Sequence, residues 1–126
     1  MIERKNPRCA NIAFFSVVHG VYFNQFEGLE ASLNSYHAET IRLVEENGVT
    51  VFDYGFIDSN TKAFEVAERI NADKIDVIFC NMITYATSSV FAPILREVNR
   101  PMILAALQPR AALDYEQANT FMQLEN

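Results

Sequence analysis

Apolar runs and apolar stripes alternate along this chain. Residues 11–18, "NIAFFSVV", are a nearly continuous apolar run, interrupted only by Asn11 at its start and Ser16, the pattern of a strand buried on both faces. Phe26, Leu29, Leu33, Tyr36, Thr40 and Val44 then recur at three- and four-residue steps, which predicts a helix. Asn24 followed by Glu27 has the spacing of an N-terminal capping pair, and Asn47-Gly48 supplies the stop. Residues 49–57, "VTVFDYGFI", are rich in β-branched and aromatic side chains and predict a second strand. A second helix over about 61–72 carries Phe64, Ala67 and Ile70 on its apolar face.

"DVIFCN" over 76–81 predicts the third strand. The polar "ITYATSS" leads to a third helix bearing Val90, Phe91, Ile94, Leu95 and Val98, with Pro93 placed in its first turn. "PMILAAL" over 101–107 predicts the fourth strand, and a closing amphipathic helix starts at Asp114. Strands alternating with helices imply parallel pairing through right-handed crossovers. The expectation is one α/β domain over 1–126: a three-layer, flavodoxin- or Rossmann-like, four-stranded parallel sheet with helices on both faces.

Composition narrows the function classes. The chain has 126 residues, half of them hydrophobic and 21% charged, which is globular rather than disordered. A net charge of -6 argues against binding nucleic acid or an anionic membrane, and Arg4, Lys5 and Arg8 read as a solubilising tail. No apolar stretch approaches the roughly 18–20 residues of a membrane span. Cys9 and Cys80 form no CxxC pair and no disulfide framework, and Cys80 is read as a core residue. With no secretory leader pattern, a cytoplasmic protein is expected.

In an open parallel sheet, ligands bind beyond the carboxyl ends of the strands. Four loops fall there: 19–24, 56–60, 81–88 and 108–113. The first carries His19 and Tyr22, the third Tyr85 among Thr84, Thr87, Ser88 and Ser89, and the fourth Gln108 and Arg110. A histidine at a strand end can donate, accept or shuttle a proton. Hydroxyls ahead of a helix either cap it or hold a phosphate or sugar hydroxyl. Neither GxGxxG nor GxxxxGK[ST] is present, so nucleotide binding by those routes is unsupported. His37 stands two residues before Glu39 and reads as half of a surface pair. With two histidines in the chain, no set of three or four metal ligands assembles, and neither a nucleophile elbow nor a triad is recognisable.

Three stretches together resemble the N-terminal domain of the L-arabinose and L-fucose isomerase group of sugar ketol isomerases. "VVHGVYFNQFEGLEASL" is similar to a family segment in which a strand ends in His, then an aromatic, then an acidic helix start. "ITYATSSVFAPILREVNRPMILAAL" is similar to the Thr-aromatic-Ser loop, helix and Asn-basic-Pro entry to the next strand. "ALDYEQANTFMQLEN" resembles the helix that runs on into the next domain. The resemblance implies that His19, Tyr22, Tyr85 and Asn126 contribute to a substrate cleft. It also implies that this is the front piece of an aldose–ketose isomerase, inactive in isolation. The family's Mn²⁺ ligands lie in later domains, so no cofactor is expected within this chain. The implied partners are a small sugar and other copies of the enzyme in a homo-oligomer. Where arabinose enzymes have Gln before the first-loop His, this chain has Val18, leaving another pentose or a deoxyhexose open. The alternative is a stand-alone flavodoxin-like module that binds a small ligand or regulates without catalysis. A phosphoacceptor version fits poorly, because "SVVHG" and "FCNM" lack the required acids.

Overall fold

A computed structural model describes residues 9–112 and 114–116. The chain runs β1 (Asn11–Val17), α1 (Val21–Gln25), α2 (Leu29–Glu45), β2 (Thr50–Ile57), α3 (Asn60–Ala72), β3 (Val77–Met82), a 3-10 turn (Ser88–Val90), α4 (Ala92–Glu97) and β4 (Met102–Ala105). The four strands form one parallel sheet in the order β2-β1-β3-β4. The sheet is the expected flavodoxin/Rossmann-like one, and its connections leave β1 on opposite sides toward β2 and β3. The switch point therefore lies between β1 and β3.

Side-chain alternation along β1 explains the layers. Ala13, Phe15 and Val17 point to one face, where they pack with Ile78 and Cys80 of β3 beneath α3 and α4. Phe14 and Ser16 point to the other, where α2 lies. Val18 and Ile83 continue that second core with Leu29 and Leu33, bordered by Tyr22, Phe23, Phe26 and Phe56. Two-sided burial is why β1 reads as a mainly apolar run, with Ser16 as its one buried polar residue. Among the described residues, no helix is long and apolar enough to cross a membrane.

The helices depart from the sequence reading at three places. The predicted first helix is two helices, because the chain breaks at Phe26–Gly28. Phe26 is extended, and Gly28 takes a φ of 83°, a left-handed conformation that suits a residue without Cβ. The Asn24–Glu27 capping pair is consequently not made: Asn24 sits inside α1, and Gly28 stands at the N-cap of α2 without a side-chain cap. On α3 the buried set is Ala63, Val66, Ala67 and Ile70, with Phe64 turned outward. Small residues at 63 and 67 let the helix approach the sheet. On α4, Leu95 is likewise exposed, whereas Pro93 occupies the first turn as its missing N–H requires. α2 closes where Asn47-Gly48 predicts, with Asn47 and Gly48 N–H donating to the carbonyls of Val44 and Glu45. Of the residues predicted to form the closing helix, 114–116 are described, and they make a turn in which Asp114 Oδ1 accepts the Glu116 N–H at 3.1 Å. The rest, Asn126 included, lies outside the described residues.

Two contacts in the α3 layer are testable. Tyr54 of β2 donates to Asp73 Oδ2 at 2.5 Å, with the Arg69 guanidinium 4.9 Å from its ring centre. Burial, and then the Asp73 carboxylate, raise the Tyr54 hydroxyl pKa. Tyr54→Phe should lower unfolding free energy by about 1 kcal/mol, the usual net worth of such a bond, read from urea midpoints. Burial also pushes the Cys80 thiol from its ordinary 9.0 to about 12. The unfolded chain therefore loses that proton first. The contribution is complete below about pH 9 and is lost as pH rises toward about 12. Both cysteines are free, Cys9 exposed and Cys80 buried. At pH 8 an aromatic disulfide reagent should titrate one thiol in the native protein and two in denaturant. Rapid native reaction of both would contradict this core.

Candidate functional site

The most informative chemistry lies on the α2 face of the sheet, and a distortion in β2 builds it. Phe14 pairs with Asp53 and Ser16 with Phe56, so β2 spends three steps where β1 spends two. The extra residue is accommodated at Gly55, whose φ of 74° is left-handed. Strict alternation would send Phe56 to the face opposite Asp53. The bulge restores it to the same face, and both side chains then converge on α2. The Gly55 N–H also donates to Asp53 Oδ1 at 2.8 Å, fixing the carboxylate.

His37 of α2 enters the space so made. Its ring stands edge-on to Phe14 and Phe56, with centroids 5.1 and 5.3 Å away. Its Nε2 lies 2.8 Å from Asp53 Oδ1 and its Nδ1 2.6 Å from Ser16 Oγ. Asn81 Nδ2 donates to the same Ser16 oxygen at 3.1 Å. Ser16, His37 and Asn81 are buried at 0%, 5% and 2% exposure, whereas the Asp53 side chain is 51% exposed. A hydrogen-bonded chain thus runs from the surface beside β2, beneath α2, to the end of β3.

The expectation of a surface pair for His37 and Glu39 is corrected by this arrangement. His37 sits four residues after Leu33 and eight after Leu29, on the buried stripe of α2, and its polar edges are satisfied by the sheet. The chain also places serine, histidine and aspartate in line where no triad was recognised. It is not a nucleophilic one. Serine meets Nδ1 and aspartate Nε2, the reverse of the usual catalytic order. Ser16 is sealed, so no carbonyl can reach it.

Asn81 links this chain of bonds to a cleft of about 220 Å³. Tyr36, Glu39, Thr40 and Leu43 of α2 form one wall, Asn81 and Ile83 the floor, and Leu107, Gln108 and Pro109 the other wall. The cleft therefore lies beyond the carboxyl ends of β3 and β4, next to the switch point, where open α/β sheets bind ligands. It joins two of the four loops predicted for that role, and Gln108 stands in it as a polar lining group.

The remaining predicted residues form a neighbouring rim. His19 follows β1 and packs edge-on against Tyr22, centroids 4.8 Å apart. Its backbone N–H donates to Thr84 Oγ1 at 3.2 Å, which ties the first loop to the third. A Cβ at Gly20 would lie 3.1 Å from Asp58 Oδ2, so the second loop closes on the first as well. Tyr85 projects outward, 70% exposed, immediately after Thr84. The structure thus brings His19, Tyr22 and Thr84 together and leaves Tyr85 at the edge. Thr87 and Ser89 hydrogen-bond one another at 2.8 Å, and Thr87 makes no side-chain cap to the following turn.

Among the described residues, no group of three or more His, Cys, Asp or Glu side chains is placed to hold a metal ion. Both nitrogens of His37 are already engaged. No protein-family model matches the chain, and no curated protein matches it.

Ser16→Ala removes the partner of both His37 Nδ1 and Asn81 Nδ2. Leaving buried polar groups unpaired costs about 1–3 kcal/mol, so the unfolding midpoint should fall by that equivalent. A change within error would show that water replaces the hydroxyl.

Proposed function

We propose that this chain is the substrate-cleft and oligomerisation domain of a cytoplasmic aldose–ketose isomerase of the L-arabinose/L-fucose isomerase kind. The observation that carries this reading is the cleft of mixed polar and apolar lining at the ends of β3 and β4, floored by Asn81. Its volume of about 220 Å³ is below the roughly 300–1,000 Å³ of pockets for drug-sized ligands and suits a monosaccharide. Glu39, Thr40, Gln108 and Asn81 give it donors and acceptors for hydroxyls, and Leu43, Ile83 and Leu107 give apolar surface for the carbon face of a sugar ring. His19, Tyr22 and Tyr85 on the adjoining rim, and Asn126, which lies outside the described residues, are assigned to the same substrate. Free Cys9 and Cys80 agree with a reducing compartment.

In this reading the chain binds and orients the sugar and excludes water, and the divalent metal, Mn²⁺, belongs to other domains. The described residues do not fit such an ion, so no catalytic step is assigned to them. Other copies of the enzyme are the protein partners. A second reading, a flavodoxin-like ligand-binding module without catalysis, is supported by one observation: this domain supplies both walls and the floor of the cleft.

Titrating ¹⁵N-labelled protein with L-arabinose and L-fucose should shift the amides of Asn81, Thr40 and Gln108. Gln108→Ala removes an exposed lining group without touching the core. It should weaken binding about five-fold, the equivalent of one neutral hydrogen bond. With Mn²⁺ and aldoses, the 126-residue chain should give no turnover. Turnover would refute the domain reading, and a response to nucleotides but not to sugars would refute the ligand class. Sugar binding by a chain that is complete in its natural gene would favour the second reading.

A further inference from the structure

Each hydrogen bond on the α2 face has a sense as well as a length. A carboxylate only accepts. Asp53 Oδ1 already takes the Gly55 N–H, so the second group it meets, His37 Nε2, must also be a donor. A neutral imidazole with its proton on Nε2 has a lone pair on Nδ1. Ser16, 2.6 Å away, therefore spends its one proton on that nitrogen. Its oxygen can then only accept, and it accepts from Asn81 Nδ2. With its nitrogen end held inward, Asn81 has Oδ1 left over. That oxygen takes no hydrogen bond from the described residues. It is not sealed either, because no fully buried side-chain oxygen or nitrogen among them lacks a partner. The open space that Asn81 borders is the cleft.

We propose that Asp53, at the far surface, is a positioning residue that fixes the hydrogen-bonding sense of the cleft floor: through His37 and Ser16 it makes Asn81 present its carbonyl oxygen, an acceptor, to the ligand. The inference rests on the cleft being a ligand site. It deepens that reading by requiring a ligand that donates a hydrogen bond at Asn81. The three inner groups are almost wholly buried, so water does not interrupt the sequence and the sense passes along it as a unit. Glu39 on the same cleft wall adds a second acceptor. Without Asp53, His37 Nε2 faces solvent and water can donate to it. The imidazole proton is then free to move to Nδ1. Ser16 Oγ then accepts a hydrogen bond from Nδ1–H, turns its own O–H toward the Asn81 oxygen, and the amide nitrogen faces the cleft instead.

The relay is read without ligand by long-range ¹H–¹⁵N spectra of His37 and the side-chain amide signals of Asn81, comparing the wild type with Asp53→Ala and Asp53→Asn. Expected is a single Nε2–H form of His37 in the wild type. In Asp53→Ala a mixture of the two neutral forms should appear together with moved or doubled Asn81 amide signals. Asp53→Asn, which keeps an oxygen acceptor, should stay like the wild type. L-arabinose affinity should fall about five-fold in Asp53→Ala and be retained in Asp53→Asn. Backbone spectra identify any variant that fails to fold, and the wild-type form of His37 is decisive in that case. An Nδ1–H form in the wild type overturns the proposal, as do Asn81 signals indifferent to a folded Asp53→Ala. If the relay behaves as stated but L-arabinose shifts nothing in the wild type, the sugar assignment fails and the positioning role stands.

Discussion

A buried imidazole must have both ring nitrogens met, and one face of this sheet is organised around meeting them for His37. Ser16 is the polar interruption of the central strand, and Asp53 is held at the correct height by a bulge. Phe14 and Phe56 close the ring's sides. The arrangement locks α2 to β1 and β2 in one register, because a one-residue slip would leave a histidine, a serine and an amide without partners in a dry interior. Hydrophobic contact alone would tolerate more sliding. Directional bonds at the centre of the face do not.

That anchoring has consequences for the cleft. The wall formed by Tyr36, Glu39, Thr40 and Leu43 lies on the helix that His37 fixes, and the floor residue Asn81 is bonded to the same cluster. The site is therefore carried largely by α2 and the end of β3, with loop residues at Ile83, Leu107, Gln108 and Pro109. A site whose polar groups stand on a helix and a strand end is pre-organised: those groups need not be ordered when a ligand arrives. The aromatic rim at His19 and Tyr22 is braced in the same way, through the Thr84 hydroxyl at the end of β3.

The opposite face follows different rules. Its core is Ala13, Phe15, Val17, Ile78 and Cys80 against small and branched residues of α3 and α4. Polar contacts there sit at the border, in the Tyr54–Asp73 bond and the Arg69 stacking. One side of the sheet thus supplies apolar packing, and the other supplies specificity and, in our reading, the ligand.

The strands, the parallel α/β class and the loops that gather at one edge are legible in the amino-acid sequence alone. Those are local consequences of side-chain period: nearly continuous apolar runs such as 11–18 bury on both faces, and stripes at three and four residues make helices. The sequence also marked Gln108 and the His19–Tyr22 loop as candidate chemistry. Local pattern misplaced the start of α2, because Gly28 breaks a stripe that Phe26 continues in sequence. It placed Phe64 inward, because one ring outweighed the smaller Ala63 and Val66 that pack. His37 looked like a surface residue beside Glu39, although its step from Leu33 put it on the buried stripe. Which polar residues meet is set by the assembled fold. Ser16, His37, Asp53 and Asn81 lie on four elements, and a bulge that reverses the alternation of β2 brings Phe56 onto the face that Asp53 already occupies. Pairing across a sheet depends on register, and register is a property of the assembled strands rather than of any one of them.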